Sequence, residues 1–124
     1  GITGVIMSKN TVDLYNPKTI RATMGSIYRV PFLYVEDLKP VFTELKKKGI
    51  QSYAAHLRGT KYYDALDFTK GTAFLIGNEG NGLRTETAEL ADQYLKIPME
   101  GQVESLNAAI ATSILMYEAN RQRR

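Results

Sequence analysis

The sequence predicts an α/β fold, a mostly parallel sheet with helices on both faces, and three observations lead there. Short apolar or β-branched runs alternate with stretches of helical period from one end to the other. A glycine-rich segment, 77–82, directly follows one such run, where a strand would hand over to a helix. No internal repeat, low-complexity stretch or interdomain linker breaks the alternation, so the 124 residues read as one domain. In such a sheet the functional loops leave the carboxyl ends of the strands.

Taken in order, Val5 to Met7 is a short strand, Ser8-Lys9-Asn10 a turn, and Pro17 the first turn of a helix through Lys18 to Met24. Ile27 to Val35 is β-branched and aromatic, and Pro31 within it marks a strand interrupted or started at the proline. Leu38, Val41, Phe42 and Leu45 repeat at helical spacing. Glu36 and Asp37 stand in front, Lys46 to Lys48 behind and Gly49 just beyond, which makes this the clearest surface helix. Gln51 to Ala55 is a strand; His56 to Lys70 sustains no period and reads as loop, with one helical turn near Tyr63 to Leu66. Thr72 to Ile76 is a strand, Leu83 to Ala91 a helix, and Tyr94 to Ile97 a strand closed by Pro98. A last helix follows from Leu106, Ala109, Ile110, Ser113, Ile114 and Tyr117, with Ser105 as N-cap and Arg121, Arg123 and Arg124 at its end.

Composition narrows the function classes. Hydrophobic residues make up 44% and charged residues 23%, and no apolar run is long enough to span a bilayer, so a soluble protein is expected. The absence of cysteine excludes disulfides and thiolate metal sites, and a single histidine leaves little for a zinc or iron centre. No metal site is expected, and a reducing, cytoplasmic setting fits. The net charge of +3 and pI of about 9.1 favour a polyanionic partner. Gly1 to Ser8 reads as a strand already under way, so the chain is expected to be part of a longer protein.

Two segments invite chemistry. In Gly77-Asn78-Glu79-Gly80-Asn81-Gly82, three glycines in six residues let backbone amides approach a ligand; the same glycines equally suit a turn that needs positive φ. The segment lacks the ending of a phosphate-binding Walker loop, and its GxxGxG spacing is not the dinucleotide GxGxxG, which disfavours a dehydrogenase. The second segment, Ile97-Pro98-Met99-Glu100-Gly101-Gln102-Val103-Glu104-Ser105-Leu106-Asn107, is a loop opening onto a helix N-terminus, where donors are exposed. By itself Ser105 there reads first as a plain N-cap.

Together the two segments resemble the second and third motifs of the SpoU family of RNA ribose methyltransferases, in the SPOUT superfamily. Val5-Ile6-Met7-Ser8, Asn16-Pro17-Lys18, Arg21 to Ser26 and Pro31 are similar to the intervening segments, so the resemblance covers essentially the whole chain. It implies a C-terminal trefoil knot, an exception to the rule that chains avoid knots. It also implies a homodimer through the knotted region, S-adenosylmethionine as cofactor, and methyl transfer to a ribose 2′-hydroxyl of RNA, ribosomal in preference to transfer RNA. By the resemblance, Gly77, Ile97 and Leu106 line the cofactor pocket, with Leu57 added from the end of the preceding strand. Glu79, Ser105 and Asn107 match polar active-site positions, and Arg123 matches a position that holds an RNA phosphate. Arg21 and Arg29 lie in a family-like segment, and Arg21 is taken as a second RNA contact. The family's first motif, Asn-x-Gly-x-x-x-Arg, supplies an arginine to the ribose hydroxyl and is expected just before Gly1, outside residues 1–124. The alternative is therefore a noncatalytic cofactor-binding or dimerisation module.

The remaining conspicuous residues have plainer readings. His56, following a strand, reads as a hydrogen-bonded or solvated side chain. Tyr28, Tyr34, Tyr53 and Tyr94 lie in or beside strands and read as core or sheet-edge residues, and Lys46 to Lys48 as a solvated helix end. Arg84 opens a helix, where the dipole disfavours a cation, and either serves a function or points to solvent.

Overall fold

The computed structural model describes every residue except Glu79. The chain divides into two compact units, Gly1–Leu38 and Lys39–Arg124.

The first unit is a βαβ arrangement: β1 (Val5–Ser8), α1 (Pro17–Ala22) and β2 (Phe32–Val35). The strands are parallel, in register from Val5↔Phe32 to Ser8↔Val35, and parallel pairing requires the crossover that carries α1. Asn16 starts the helix by accepting from the Lys18 amide at 2.9 Å, and Pro17 needs no amide partner at the first helical position. Met24 (φ 48°) and Gly25 (φ 86°) then turn left-handed, which ends the helix short of its expected limit at Met24. The expected strand over Ile27–Val35 forms only in its second half. Ser26–Tyr28 is a single 3-10 turn, and β2 begins just after Pro31, whose carbonyl accepts from Val5 N at 2.9 Å. The Tyr34 hydroxyl accepts from Leu14 N at 2.7 Å and donates to the Val12 carbonyl at 3.2 Å, pinning the connecting loop.

The second unit carries α2 (Lys39–Lys47), β3 (Gln51–Ala55), β4 (Thr72–Leu75), α3 (Thr85–Ala88), β5 (Gln93–Leu95) and α4 (Ala108–Gln122). Gly49 (φ 70°) closes α2, and the Ile50 amide reaches back to the Leu45 carbonyl at 2.9 Å, the bond that defines a Schellman ending. The sheet order is β4-β3-β5, all parallel, so the expected parallel sheet is present as a two-stranded and a three-stranded piece. Tyr53 on the central strand joins Leu66, Phe68, Leu95, Leu115 and Ala119 in one core. Phe68 meets Tyr53 and Phe74 edge-on at centroid distances of 5.1 and 5.0 Å. Ser52 and Ala54 point the other way and are buried too, so both faces of β3 are covered.

In this unit too, boundaries differ from the periodicity for local reasons. Helix α3 stops at Ala88 rather than Ala91 because the chain drops to the sheet. There the Asp92 amide donates to the Ser52 carbonyl at 3.1 Å, and its carboxylate accepts from Ser52 N (2.9 Å) and Oγ (3.1 Å). Strand β5 accordingly starts and ends earlier than Tyr94–Ile97. The cap of α4 is Asn107, not Ser105: its Oδ1 accepts from Ala109 N at 2.9 Å and Ile110 N at 3.4 Å. At the far end of α4, Gln122 accepts from Phe68 N (2.6 Å) and donates to Leu66 O (2.9 Å), while Arg123 donates to the carbonyls of Phe68 (2.8 Å) and Lys70 (2.7 Å). These bonds give the aperiodic 66–70 segment a fixed path, and a 3-10 turn over Tyr63–Ala65 precedes it. Among the described residues no helix is long and apolar enough to cross a membrane.

Candidate functional site

Because β3, β4 and β5 run parallel, their carboxyl ends lie on one side of the sheet, and a cleft of about 350 Å³ opens there. Each strand contributes a wall. From β3 come Ala55, His56 and Leu57; from β4 come Ile76, Gly77, Asn78 and Gly80 to Leu83; from β5 come Leu95, Lys96, Ile97 and Met99. Glu104, Ser105, Leu106, Ala108 and Ala111, leading into α4, close the fourth side.

The glycine loop is held by its own backbone. The Gly82 amide donates to the Asn78 carbonyl at 2.8 Å, the Asn78 amide donates back to the Gly82 carbonyl at 3.3 Å, and the Asn78 side chain accepts from Gly80 N at 2.7 Å. Gly82 has φ 64°, so the turn reading of this segment is right. Gly77 is required for a different reason: a Cβ there would lie 2.5 Å from the Gly82 carbonyl carbon and 2.9 Å from its oxygen. The turn and the cleft wall are therefore one structure.

On the opposite wall the His56 amide donates to Leu95 O at 3.0 Å. Its ring stacks on Tyr94 with centroids 4.9 Å apart, and its Nδ1 accepts from Arg58 N at 3.1 Å. Gly59 lets the chain after β3 pass against β5, since a Cβ there would sit 2.7 Å from the Leu95 carbonyl carbon. Lys96 donates its amide to Lys61 O at 2.9 Å and accepts from Tyr63 N at 3.0 Å, which fixes the backbone where β5 ends.

Of the residues singled out from sequence, Leu57, Gly77, Ile97, Ser105 and Leu106 line this cleft together. Asn107 is next to them in the chain but commits its side-chain oxygen to capping α4. Glu79 lies outside the described residues. Arg123 is at the other end of α4, exposed but with its guanidinium anchored on two carbonyls. Arg21 is exposed in the last turn of α1, in the first unit. Arg84 precedes α3 without a side-chain capping bond. His56 is hydrogen-bonded, as its sequence reading held, and it also lines the cleft. The sequence reading missed Ile76, Lys96 and Glu104. Lys96 had a usable signal, its place at a strand end, which the misplaced limit of β5 concealed. Among the described residues the perturbed titrating groups lie away from the cleft. Hydrogen bonds from Arg121 and Gln122 hold the Glu118 carboxyl down to about 2, and burial, with the charges of Asp67 and Asp92, pushes the Tyr53 phenol up.

The SpoU rRNA Methylase family model matches residues 1–117. The 23S rRNA (guanosine(2553)-2′-O)-methyltransferase RlmP of Bacillus subtilis is 34% identical over 117 residues, 94% of this chain and 47% of that protein. The crystal structure of the SpoU methyltransferase AviRb from Streptomyces viridochromogenes in complex with the cofactor AdoMet superposes with a TM-score of 0.88 at 34% identity, over 97% of this chain and 47% of that one. The AdoMet-bound rRNA methyltransferase from Sinorhizobium meliloti gives 0.82 at 36% identity, over 96% and 46%. The chain spans about half the length of the curated relatives it matches. A family model matching nearly the whole chain, together with a glycine loop placed at a strand end, establishes that the chain belongs to the SpoU rRNA methylase family.

Proposed function

We propose that this chain forms the S-adenosylmethionine-binding part of an RNA 2′-O-ribose methyltransferase. The observation that carries the reading is the cleft at the carboxyl ends of β3, β4 and β5, one wall of which is backbone at Gly77 and Gly82. Its volume of about 350 Å³ is in the range of small-molecule sites. Its lining suits an adenosine: Ile76, Ile97 and Leu106 offer apolar surface, and the loops between them offer backbone donors and acceptors. When bound, S-adenosylmethionine would supply an activated methyl group carried on a positively charged sulfur.

The residues of this chain do the positioning that such a transfer needs. Gly77, Ile97 and Leu106, with Leu57, hold the donor. Ser105 presents a hydroxyl to the cleft, Asn107 keeps that hydroxyl in place by starting α4 two residues later, and Glu79 orients a neighbouring donor. Arg21 and Arg123 take RNA phosphates; anchoring on two carbonyls leaves the Arg123 fork preorganised, with N–H groups to spare. The close passage of the chain at Gly59 against Leu95 and Lys96 supports a C-terminal trefoil knot. A homodimer through that region, ribosomal RNA in preference to transfer RNA, and a cytoplasmic setting complete the proposal.

Calorimetric titration with S-adenosylmethionine, S-adenosylhomocysteine and NADH tests it. Binding of the first two and not the third is the expected result. A folded chain that binds neither methyl-donor ligand contradicts the reading.

A further inference from the structure

Beside the cleft lies a second cavity of about 380 Å³, lined by Leu57, Tyr62, Lys96, Met99 and the loop from Gly101 to Glu104. Leu57, Lys96, Met99 and Glu104 line both, so the two cavities share a wall. Resting on the function proposed above, we propose that this second cavity receives a nucleotide of single-stranded RNA, its base stacked on Tyr62 and its phosphate on Lys96.

Tyr62 and Lys96 form an isolated parallel bridge, and residues paired in this way project from the same face. The flanking bonds of Lys96 to Lys61 and Tyr63 fix that register, so an aromatic and a cationic side chain leave paired backbone positions. The Tyr62 residue is 51% exposed, and among the described residues its ring meets no other ring and its hydroxyl no hydrogen-bond partner. Lys96 is half-buried, and among the described residues no carboxylate lies within salt-bridge distance of it. A lysine with no carboxylate partner among the described residues, registered against an exposed tyrosine, is the combination that unstacked nucleotides recognise. Gln102 and Glu104 also line the cavity and offer hydrogen-bonding groups for a base edge. The Glu104 carboxylate repels a phosphate and thereby assigns it to the Lys96 side. A second source of negative charge, the carboxylate of the methyl donor, would use Lys96 but leave the Tyr62 face idle.

The test uses the intact protein and a fluorescently labelled single-stranded RNA, with affinity read by anisotropy across a salt series, and S-adenosylmethionine binding read separately by calorimetry. Circular dichroism establishes that each variant is folded. Tyr62→Ala should weaken RNA binding by about tenfold and Tyr62→Phe should restore it. Lys96→Gln should reduce the salt slope of RNA binding by about one, with Lys96→Arg restoring it, and neither Tyr62 variant, at a residue outside the donor cleft, should change S-adenosylmethionine affinity. Unchanged RNA affinity and slope in both Tyr62→Ala and Lys96→Gln overturn the inference and leave the methyltransferase reading standing. So does a Lys96→Gln variant that loses S-adenosylmethionine with its RNA salt slope intact, which would assign the lysine to the donor carboxylate. A wild-type protein that binds no S-adenosylmethionine removes the parent reading and this inference with it.

Discussion

Replacing Gly77 with alanine perturbs the cleft by one methyl group. The added Cβ would lie 2.5 Å from the Gly82 carbonyl carbon and 2.9 Å from its oxygen, against a lower limit of 3.0 Å for real contacts. The obstacle is backbone, so relief requires the far side of the loop to move by about half an ångström, at a cost of about 1–3 kcal/mol for overpacking of this kind. The moving atoms are the cleft wall, and even 1.4 kcal/mol lost from the bound state is tenfold in affinity. Gly77→Ala should therefore fold, with a lowered melting temperature, and bind S-adenosylmethionine at least about tenfold more weakly by calorimetry. Gly82→Ala is the matched control. At φ 64°, with no atom of the described residues within 4 Å of its Cβ, it carries about 1–2 kcal/mol of backbone strain but displaces no described neighbour. It should lose comparable stability and less affinity. A folded Gly77→Ala chain with wild-type affinity for S-adenosylmethionine would refute the placement of the donor against this loop.

Phe68→Ala, at a fully buried side chain between Tyr53 and Phe74, should cost about 3–5 kcal/mol, read by urea denaturation. Asn107→Ala should destabilise the chain by about 1 kcal/mol through the lost cap, and Asn107→Asp should recover that stability. A donor-binding loss that Asn107→Asp does not recover would separate the site role of the amide from its capping role. For Glu118 the folded-state value of about 2 lies below the ordinary 4.5, so its contribution is complete above about pH 4.5 and is lost as pH falls through about 2. Glu118→Gln should flatten the decline in stability across that window, measured by thermal melts at stepped pH.

Much of the second unit was legible because its signals are local. The period of α2, with Gly49 behind it, and the apolar run of β3 contain the information that defines them. The glycine segment was readable as a strand-end turn, and five of the seven residues assigned to its cofactor and active site meet at one cleft. What escaped was set by contacts distant in sequence. Asp92 bonds to Ser52, 40 residues earlier, and this shortens α3 and moves β5 toward the N-terminus. Gln122 and Arg123 hold the 66–70 segment across more than 50 residues, so no period within that segment announces its path. The choice of Asn107 over Ser105 as the cap of α4 was open locally, since both residue types cap well. Lys96 and Glu104 entered the site only once three parallel strand ends were placed together. The role proposed for Arg123 came from family resemblance, and its two carbonyl bonds had no sequence signal.

The most direct test of the central claim is the fate of a radiolabelled methyl group. The intact protein is incubated with methyl-labelled S-adenosylmethionine and ribosomal RNA, and the RNA is then hydrolysed in alkali. Because alkaline cleavage uses the 2′-hydroxyl as its nucleophile, a methylated ribose resists it. The account predicts label in alkali-stable dinucleotides, reduced by about tenfold or more when Gly77 is replaced by alanine at limiting donor. Label recovered in mononucleotides would mean a base acceptor, and no transfer to ribosomal or transfer RNA by a protein that binds the donor would contradict the enzyme reading.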